Sequence, residues 1–543
     1  MKSKKADRIY RALAAPALLI LVFLFALPLY FTFSTAFEGG FDTIRSVFTS
    51  AYSYRLVRFT LIESLLSAFI SCLVALPFAA FFASYDFRLR KMTLALSALS
   101  FTIPSILVVL GFVIFYGNNG VLNSLLKDIF SLEESPVRFL YSFSAIIFAH
   151  VYLNLPVAFN LITNGWTSLP RNEEMASYTL GRGKMKTFFS ITLPKLRGVI
   201  ANAFIIIFLF CFSSFAIVMV LGGSPEYSTL ESEIYRRAHI SLDYSGASAL
   251  SIFSFIITTL ALSLTYIGRR REKMVRREGR ARKIKGKGMK ALAALMTLSM
   301  LLFILPPMLS ILYRSFFDRK GIFSLEAWNT VFSASSFLSS ILNSLIIAIT
   351  AAGLATILAE NIAMYSVKCN SRISPLFATL PLATGSVTLG LGYNFLSSHL
   401  GINSIYSDYL MILATHLVLA IPFAIRTILP GAKEIPQRVS DASYTLKKSA
   451  FETYMKTERP LLKNYRRKAF IFAFALSLGE VNATLSLAGG RIETLPIQIY
   501  RLIGSYNYQG ASALGSVLLF LAFIVFILGE RIGKKERTWN TWK

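Results

Sequence analysis

Read from the amino terminus, the chain alternates long apolar runs with short polar or basic breaks. Runs of about 20 residues, the length of helix that crosses a hydrocarbon core of roughly 30 Å, fall at 12–36, 60–84, 94–116, 140–165, 199–222 and 246–267. After a basic stretch the pattern restarts at 289–313, 340–363, 374–396, 408–430, 467–488 and 511–529. None has the every-second-residue alternation of a barrel strand. Lipid admits only helices or closed barrels, because every backbone polar group must be paired internally. The pattern therefore predicts an all-α integral membrane protein with about 12 transmembrane helices.

Composition agrees: 55% of the 543 residues are hydrophobic and 15% charged, outside the range of soluble domains. Lys2, Lys4, Lys5, Arg8 and Arg11 precede the first run in the manner of a signal peptide. That run is too long for a signal h-region and has a counterpart at 289–313, so it reads as the first helix. The net charge of +28 changes the picture more. With both termini in the cytoplasm, most of the 56 Lys and Arg fall on the cytoplasmic side. Bases gathered beside spans report orientation and anionic headgroups, and exclude nucleic acid as the expected partner. The densest cluster begins at Arg269 and divides the chain into a half at 1–268, a basic linker at 269–289 and a half at 290–543. Six spans per half return each half to its starting side, which predicts a parallel repeat.

Individual residues carry the repeat. The pentapeptide ASYTL at Ala176 returns at Ala442, a separation of 266 residues (442 minus 176). His150, Pro156 and Pro170 match His416, Pro422 and Pro436 at that separation. GASAL at Gly246 recurs at Gly510, and Gly222-Gly223 matches Gly489-Gly490. Both ASYTL copies lie in polar loops, at 171–198 and 433–466, and read as short helices.

Ala176-Ser177, three residues, Gly181, nine residues, then Ile191-Thr192-Leu193-Pro194 resembles the EAA loop of ATP-binding-cassette importer permeases. That pattern runs E-A-A, three residues, G, nine residues, I-x-L-P. Met175 stands at the family's Glu, with Glu174 just before it. The second copy is degenerate: Asp441-Ala442-Ser443 and Pro460 are kept, but Lys447 replaces the Gly, and Thr457 and Arg459 replace Ile and Leu. The resemblance implies a type I importer permease fold in a bacterial cytoplasmic membrane, each loop seated in a groove of a cytoplasmic ATP-binding subunit. Glu174, Ala176, Ser177, Gly181, Ile191, Leu193 and Pro194 are the coupling residues it implies in the first loop, and Asp441, Ala442, Ser443, Lys447 and Pro460 in the second. Two loops imply two copies of that subunit, which bring the ATP and Mg; this chain is expected to bind no cofactor and to be no enzyme. "GRGKMKT" is not a phosphate loop, since Met185 follows Lys184 where Ser or Thr is required. The outer loops are too short to form a capture domain, so an extracytoplasmic substrate-binding protein is expected as well.

Two fused halves are a feature of the importer branch for ferric iron and thiamine. "SLGEVNATLSLAGG" from Ser477 resembles that branch's S-x-G-E-x-x-A-T-L, and the stretch Cys211 to Ala238 more closely resembles thiamine permeases. Thiamine or its phosphates is the cargo this implies, with iron(III) as the alternative and an ion-coupled secondary transporter as the rival class. Acids inside spans are costly and mark function: Glu63, Glu360 and above all Glu480. Glu480, Asn482 and Thr484, facing Ser213, Ser214 and Phe215, are the expected pathway residues, although Glu480 can equally tie helices together. His150 and His416 read as structural in preference to a proton relay. Cys72, Cys211 and Cys369 have no CxxC spacing, and no metal site is predicted.

Overall fold

The computed structural model describes residues 4–100, 103–222, 226–267, 281–487 and 491–535. Gly223, Gly489, Gly490 and most of the linker lie outside the described residues. The first half is built on α1 (Lys4–Glu38), α2 (Ala51–Ser84), α3 (Arg90–Ser100), α4 (Ser105–Tyr116), α5 (Phe143–Thr167), α6 (Asn172–Thr179), α7 (Leu193–Phe212), α8 (Ala216–Leu221) and α9 (Tyr244–Ile267). The second half repeats them in order as α10 (Lys287–Phe316), α11 (Ser336–Lys368), α12 (Ile373–Thr379), α13 (Ser386–His399), α14 (Ile405–Glu434), α15 (Gln437–Thr445), α16 (Lys463–Leu478), α17 (Asn482–Leu487) and α18 (Tyr508–Lys535).

Among the described residues, 10 helices are long and apolar enough to cross a membrane, and one further pair, Ile373–Ala383 with Ser386–His399, is bent by 91°. Six of the ten lie in the first half and four, with the bent pair, in the second, in keeping with the expected total of about 12, and several of the runs are interrupted. The run at 94–116 divides between α3 and α4, and the run at 374–396 is the bent pair. The run at 199–222 splits between α7 and α8, and that at 467–488 between α16 and α17. α16 opens on Lys463, Arg466, Arg467 and Lys468 and, at 16 residues, is too short to count as a span.

The packing is inside-out relative to a soluble protein. The inner stripe of α2 is small and hydroxylic, with Ser64, Ser67, Ala68, Ser71, Ala75 and Ala79 buried, while Phe69 and Leu73 point outward. In α11, Ala348, Ala352, Ala355 and Ala359 are buried while Ile346 and Ile349 are exposed. Small residues let helix backbones approach closely where lipid offers no hydrophobic driving force. Serines cap α2 and α5: the Ser50 side chain accepts from Ser53 N at 3.0 Å, and that of Ser142 from Ala145 N at 3.2 Å.

The halves interlock through their opening helices. Tyr393 in α13 donates to Leu24 O in α1 at 2.6 Å, and a Cβ on Gly392 would collide with Pro28 O. Reciprocally, Tyr152 in α5 donates to Ile304 O in α10 at 2.5 Å, and a Cβ on Gly111 in α4 would lie 2.7 Å from Pro307 O. Each half thus presents a glycine to the other half's proline, and the missing N–H of Pro28 leaves the Leu24 carbonyl free for Tyr393. A two-residue parallel pair, β1 (Tyr85–Asp86) with β2 (Arg282–Lys283), holds the end of the linker beside α2, and Arg282 donates to Met175 Sδ at 3.0 Å.

Candidate functional site

Helix breaks from both halves meet at one place. Ile103-Pro104 before α4, Ser213–Phe215 after α7, Pro381–Ser386 at the bend and Gly479–Asn482 after α16 all line a cavity of 270 Å³ between the halves. Unwound backbone is tolerated at such depth only where protein or a cavity covers it, and interrupted helices at repeat-related positions mark substrate sites in transporters. Four buried polar atoms of this lining have no hydrogen-bond partner among the described residues: His150 Nε2, Ser213 Oγ, Thr384 Oγ1 and Asn482 Oδ1. Leaving such groups unpaired costs free energy, so they are the atoms to which a polar occupant bonds. Phe210 and Phe423, one from each half, stack with centroids 5.8 Å apart.

Glu480, Asn482, Ser213, Ser214 and Phe215 all line this cavity. Thr484 stands behind it, hydrogen-bonded to His416 Nε2 at 2.9 Å. The Glu480 carboxylate accepts from Ala483 N at 2.9 Å and so caps α17, while Asn482 Nδ2 donates to Ser386 Oγ of α13 at 3.1 Å. Glu480 thus lines the cavity and caps a helix end. His150 and His416 also line it, and each is held by a neighbour: His416 Nδ1 bonds Ser477 Oγ at 2.7 Å, and His150 Nδ1 contacts Glu63.

The two ASYTL loops share one backbone path. In each, a short helix (α6 or α15) ends in a left-handed residue, Gly181 at φ +76° or Lys447 at φ +56°. The closing bonds correspond: Arg182 N to Ser177 O at 3.1 Å and Lys448 N to Ser443 O at 3.3 Å, the six-to-one closure of a helix C-terminus. A single-turn π segment follows in both, Phe188–Thr192 and Thr453–Glu458. Ser177 bonds Thr187 at 2.8 Å, and Ser443 bonds Thr453 at 2.9 Å. Ala176 and Ala442 are exposed, as are Pro194 and Pro460, and Asp441 accepts from Gln437 at 3.1 Å. Ile191 and Leu193 are half-buried at the entry to α7.

The lost consensus residues of the second loop are compensated. In the first, Thr192 donates to Glu174 at 2.8 Å, which pins α6 to the π segment. In the second, acid and hydroxyl exchange places, and Ser440 donates to Glu458 at 2.6 Å. Glu458 is fully buried and also meets Lys368 of α11 at 2.6 Å and the Tyr10 hydroxyl of α1 at 2.6 Å. Arg459, standing where Leu193 stands in the first copy, pairs with Glu360 at 3.3 Å, and Arg466 with the same carboxylate at 2.9 Å. Glu360 therefore anchors the second loop and does not line the cavity.

Glu231, on the short helix Leu230–His239, escaped the sequence reading. It is fully buried, accepts from Ser254 Oγ at 3.3 Å, and a Cβ on Gly385 would collide with its carboxyl. Burial pushes that carboxyl up to about 8, so it is mostly neutral at pH 7 and needs no cation. Only the threonine-capped polar helix around it, TLESE, marked the position as unusual.

Residues 75–273 match the family model of the binding-protein-dependent transport system inner membrane component. Over that stretch the chain is similar to permeases of this class. The thiamine transport system permease protein of Brucella abortus is 28% identical over 92% of this chain and 91% of its own length, and that of Salmonella typhimurium is 28% identical over 92% of each. The ferric transport system permease protein of Actinobacillus pleuropneumoniae is 25% identical over 99% of this chain and 81% of its own length.

Proposed function

We propose that this permease carries thiamine or its phosphate esters inward across a bacterial cytoplasmic membrane, driven by two copies of a cytoplasmic ATP-binding subunit and supplied by an extracytoplasmic binding protein. The observation that carries the cargo is the cavity lining: one carboxylate, Glu480, beside two phenyl rings and four unpaired polar atoms. A flat heteroaromatic cation matches that set through charge, cation–π contact and hydrogen bonds. Ferric iron, favoured only by the iron-transporting relative, is a hard cation that calls for several oxygen ligands, and the lining holds a single acid and no tyrosine.

The coupling face is supported by repeated exposed apolar side chains on the loops. Leu180 is 80% exposed and its counterpart Leu446 is 71% exposed; Met185 and Phe189 are matched by Phe451 and Met455. Hydrophobic side chains held open at two repeat-related points fit two copies of one partner. The start of α1 reaches the second loop and the end of the linker reaches the first, so the amino terminus, linker and both loops gather at the proposed cytoplasmic side.

Uptake of labelled thiamine and of labelled ferric iron into proteoliposomes holding all three components tests the cargo. Thiamine is expected to accumulate and iron not. Glu480→Gln is expected to lower thiamine uptake about tenfold, the equivalent of roughly 1.4 kcal/mol. Unchanged uptake in that variant removes Glu480 from the pathway.

A further inference from the structure

We propose that Glu63, His150 and Cys211 form a buried site for a transition-metal dication of borderline softness, zinc being the reference case, in the core of the first half. Glu63 lies on α2, His150 on α5 and Cys211 on α7, and one ligand atom from each lies within 4.8 Å of the others. All three side chains are buried. Carboxylate oxygen, imidazole nitrogen and thiolate sulfur are the donors zinc accepts, and three protein ligands leave one position open. A dication with one thiolate, one carboxylate and a neutral imidazole sums to zero charge, which suits a site inside a membrane.

The surroundings orient the donors. Ser64 and Ser67 donate to the Glu63 carboxylate at 3.2 and 3.0 Å, and Asn154 Nδ2 donates to Cys211 Sγ at 3.4 Å. Hydrogen bonds behind the ligands are what fixes ligand orientation in metal sites. His150 Nδ1 faces Glu63, leaving the buried, unpaired Nε2 on the cavity side.

The repeat supplies an internal comparison. Cys211 corresponds to Ser477 at the separation of 266 (477 minus 211). Leu230 N bonds Thr60 at 3.0 Å and Leu495 N bonds Ser344 at 2.9 Å, a register that places Ile347 opposite Glu63. In the second half the histidine is satisfied by two hydroxyls, Ser477 and Thr484. A histidine here thus needs neither an acid nor a thiol to be held, yet the first half provides both. No spacing motif marks the set, because 87 residues separate Glu63 from His150. A bound ion would tie α2, α5 and α7 into one rigid unit beside the cavity.

The full chain, purified in detergent with its thiols reduced and stripped with chelator, is titrated with Co²⁺ and then Zn²⁺. The proposal predicts one cobalt per chain with sulfur-to-cobalt charge-transfer absorption in the near ultraviolet, displaced by zinc, and a melting temperature raised by zinc. Cys211→Ser is expected to abolish the absorption, and Cys369→Ser and Ser477→Ala to retain it. Should Cys211→Ser fail to fold, X-ray absorption of the zinc-loaded wild type decides, with one sulfur expected among its nearest neighbours. Absence of stoichiometric binding, a metal shell without sulfur, or a band that survives in folded Cys211→Ser overturns the proposal. None of these readouts depends on the cargo.

Discussion

Glu458→Ala is expected to destabilise the permease by about 3–5 kcal/mol, the cost of removing one partner from a buried ion pair. Glu458 is fully buried and Lys368 is 9% exposed, so the substitution leaves an ammonium with little water to replace the carboxylate. Tyr10 and Ser440 lose their acceptor in the same step, which weakens the hold of the π segment on α1 and α15 together. Thermal unfolding in detergent measures the loss. Replacing both Lys368 and Glu458 with Met is expected to recover much of it, since apolar substitution of a whole buried pair is often neutral. A melting temperature for Glu458→Ala equal to that of the wild type contradicts this account of how the second loop is held.

Gly181→Asp acts on the partner and not on the fold. A Cβ at Gly181 meets nothing within 4 Å, and Asp enters the left-handed region more readily than most residues, so the backbone cost is about 1 kcal/mol. ATP-driven uptake should nevertheless fall by at least about tenfold, a loss of roughly 1.4 kcal/mol of docking energy. Lys447 already holds a side chain at the equivalent left-handed position, so Lys447→Gly should leave uptake within about twofold and stabilise slightly. Normal expression with lost ATPase association is the signature expected of Gly181→Asp; uptake at wild-type rate excludes this face as the docking surface.

The spans and the duplication were legible because lipid imposes a length and an apolar composition on every crossing, and because two pentapeptides sit in collinear positions. The breaks were not. Apolar runs continue through Ser213–Phe215 and the bend before Ser386, and hydropathy does not distinguish a straight helix from one that unwinds at a cavity. Glu480, an acid too costly to be idle there, pointed to residues that line the cavity. Glu360 and Glu458 show the limit of that rule. Their partners Arg466 and Lys368 lie far off in sequence, so pairing could not be read from spacing. The exchange of acid and hydroxyl between the loops, where Glu174 and Thr192 become Ser440 and Glu458, spans only 18 residues but shows no likeness residue by residue. Read alone, the second loop is a degraded copy; folded, it is the same device held by different residues.

The central claim is that this chain moves its cargo only when partner ATPases move its loops. Uptake of labelled thiamine into proteoliposomes, measured with the permease alone under an imposed ion gradient and then with the ATP-binding subunit, binding protein and ATP, tests it directly. No accumulation is expected in the first case and ATP-dependent accumulation in the second. Gradient-driven uptake by the permease alone would contradict it.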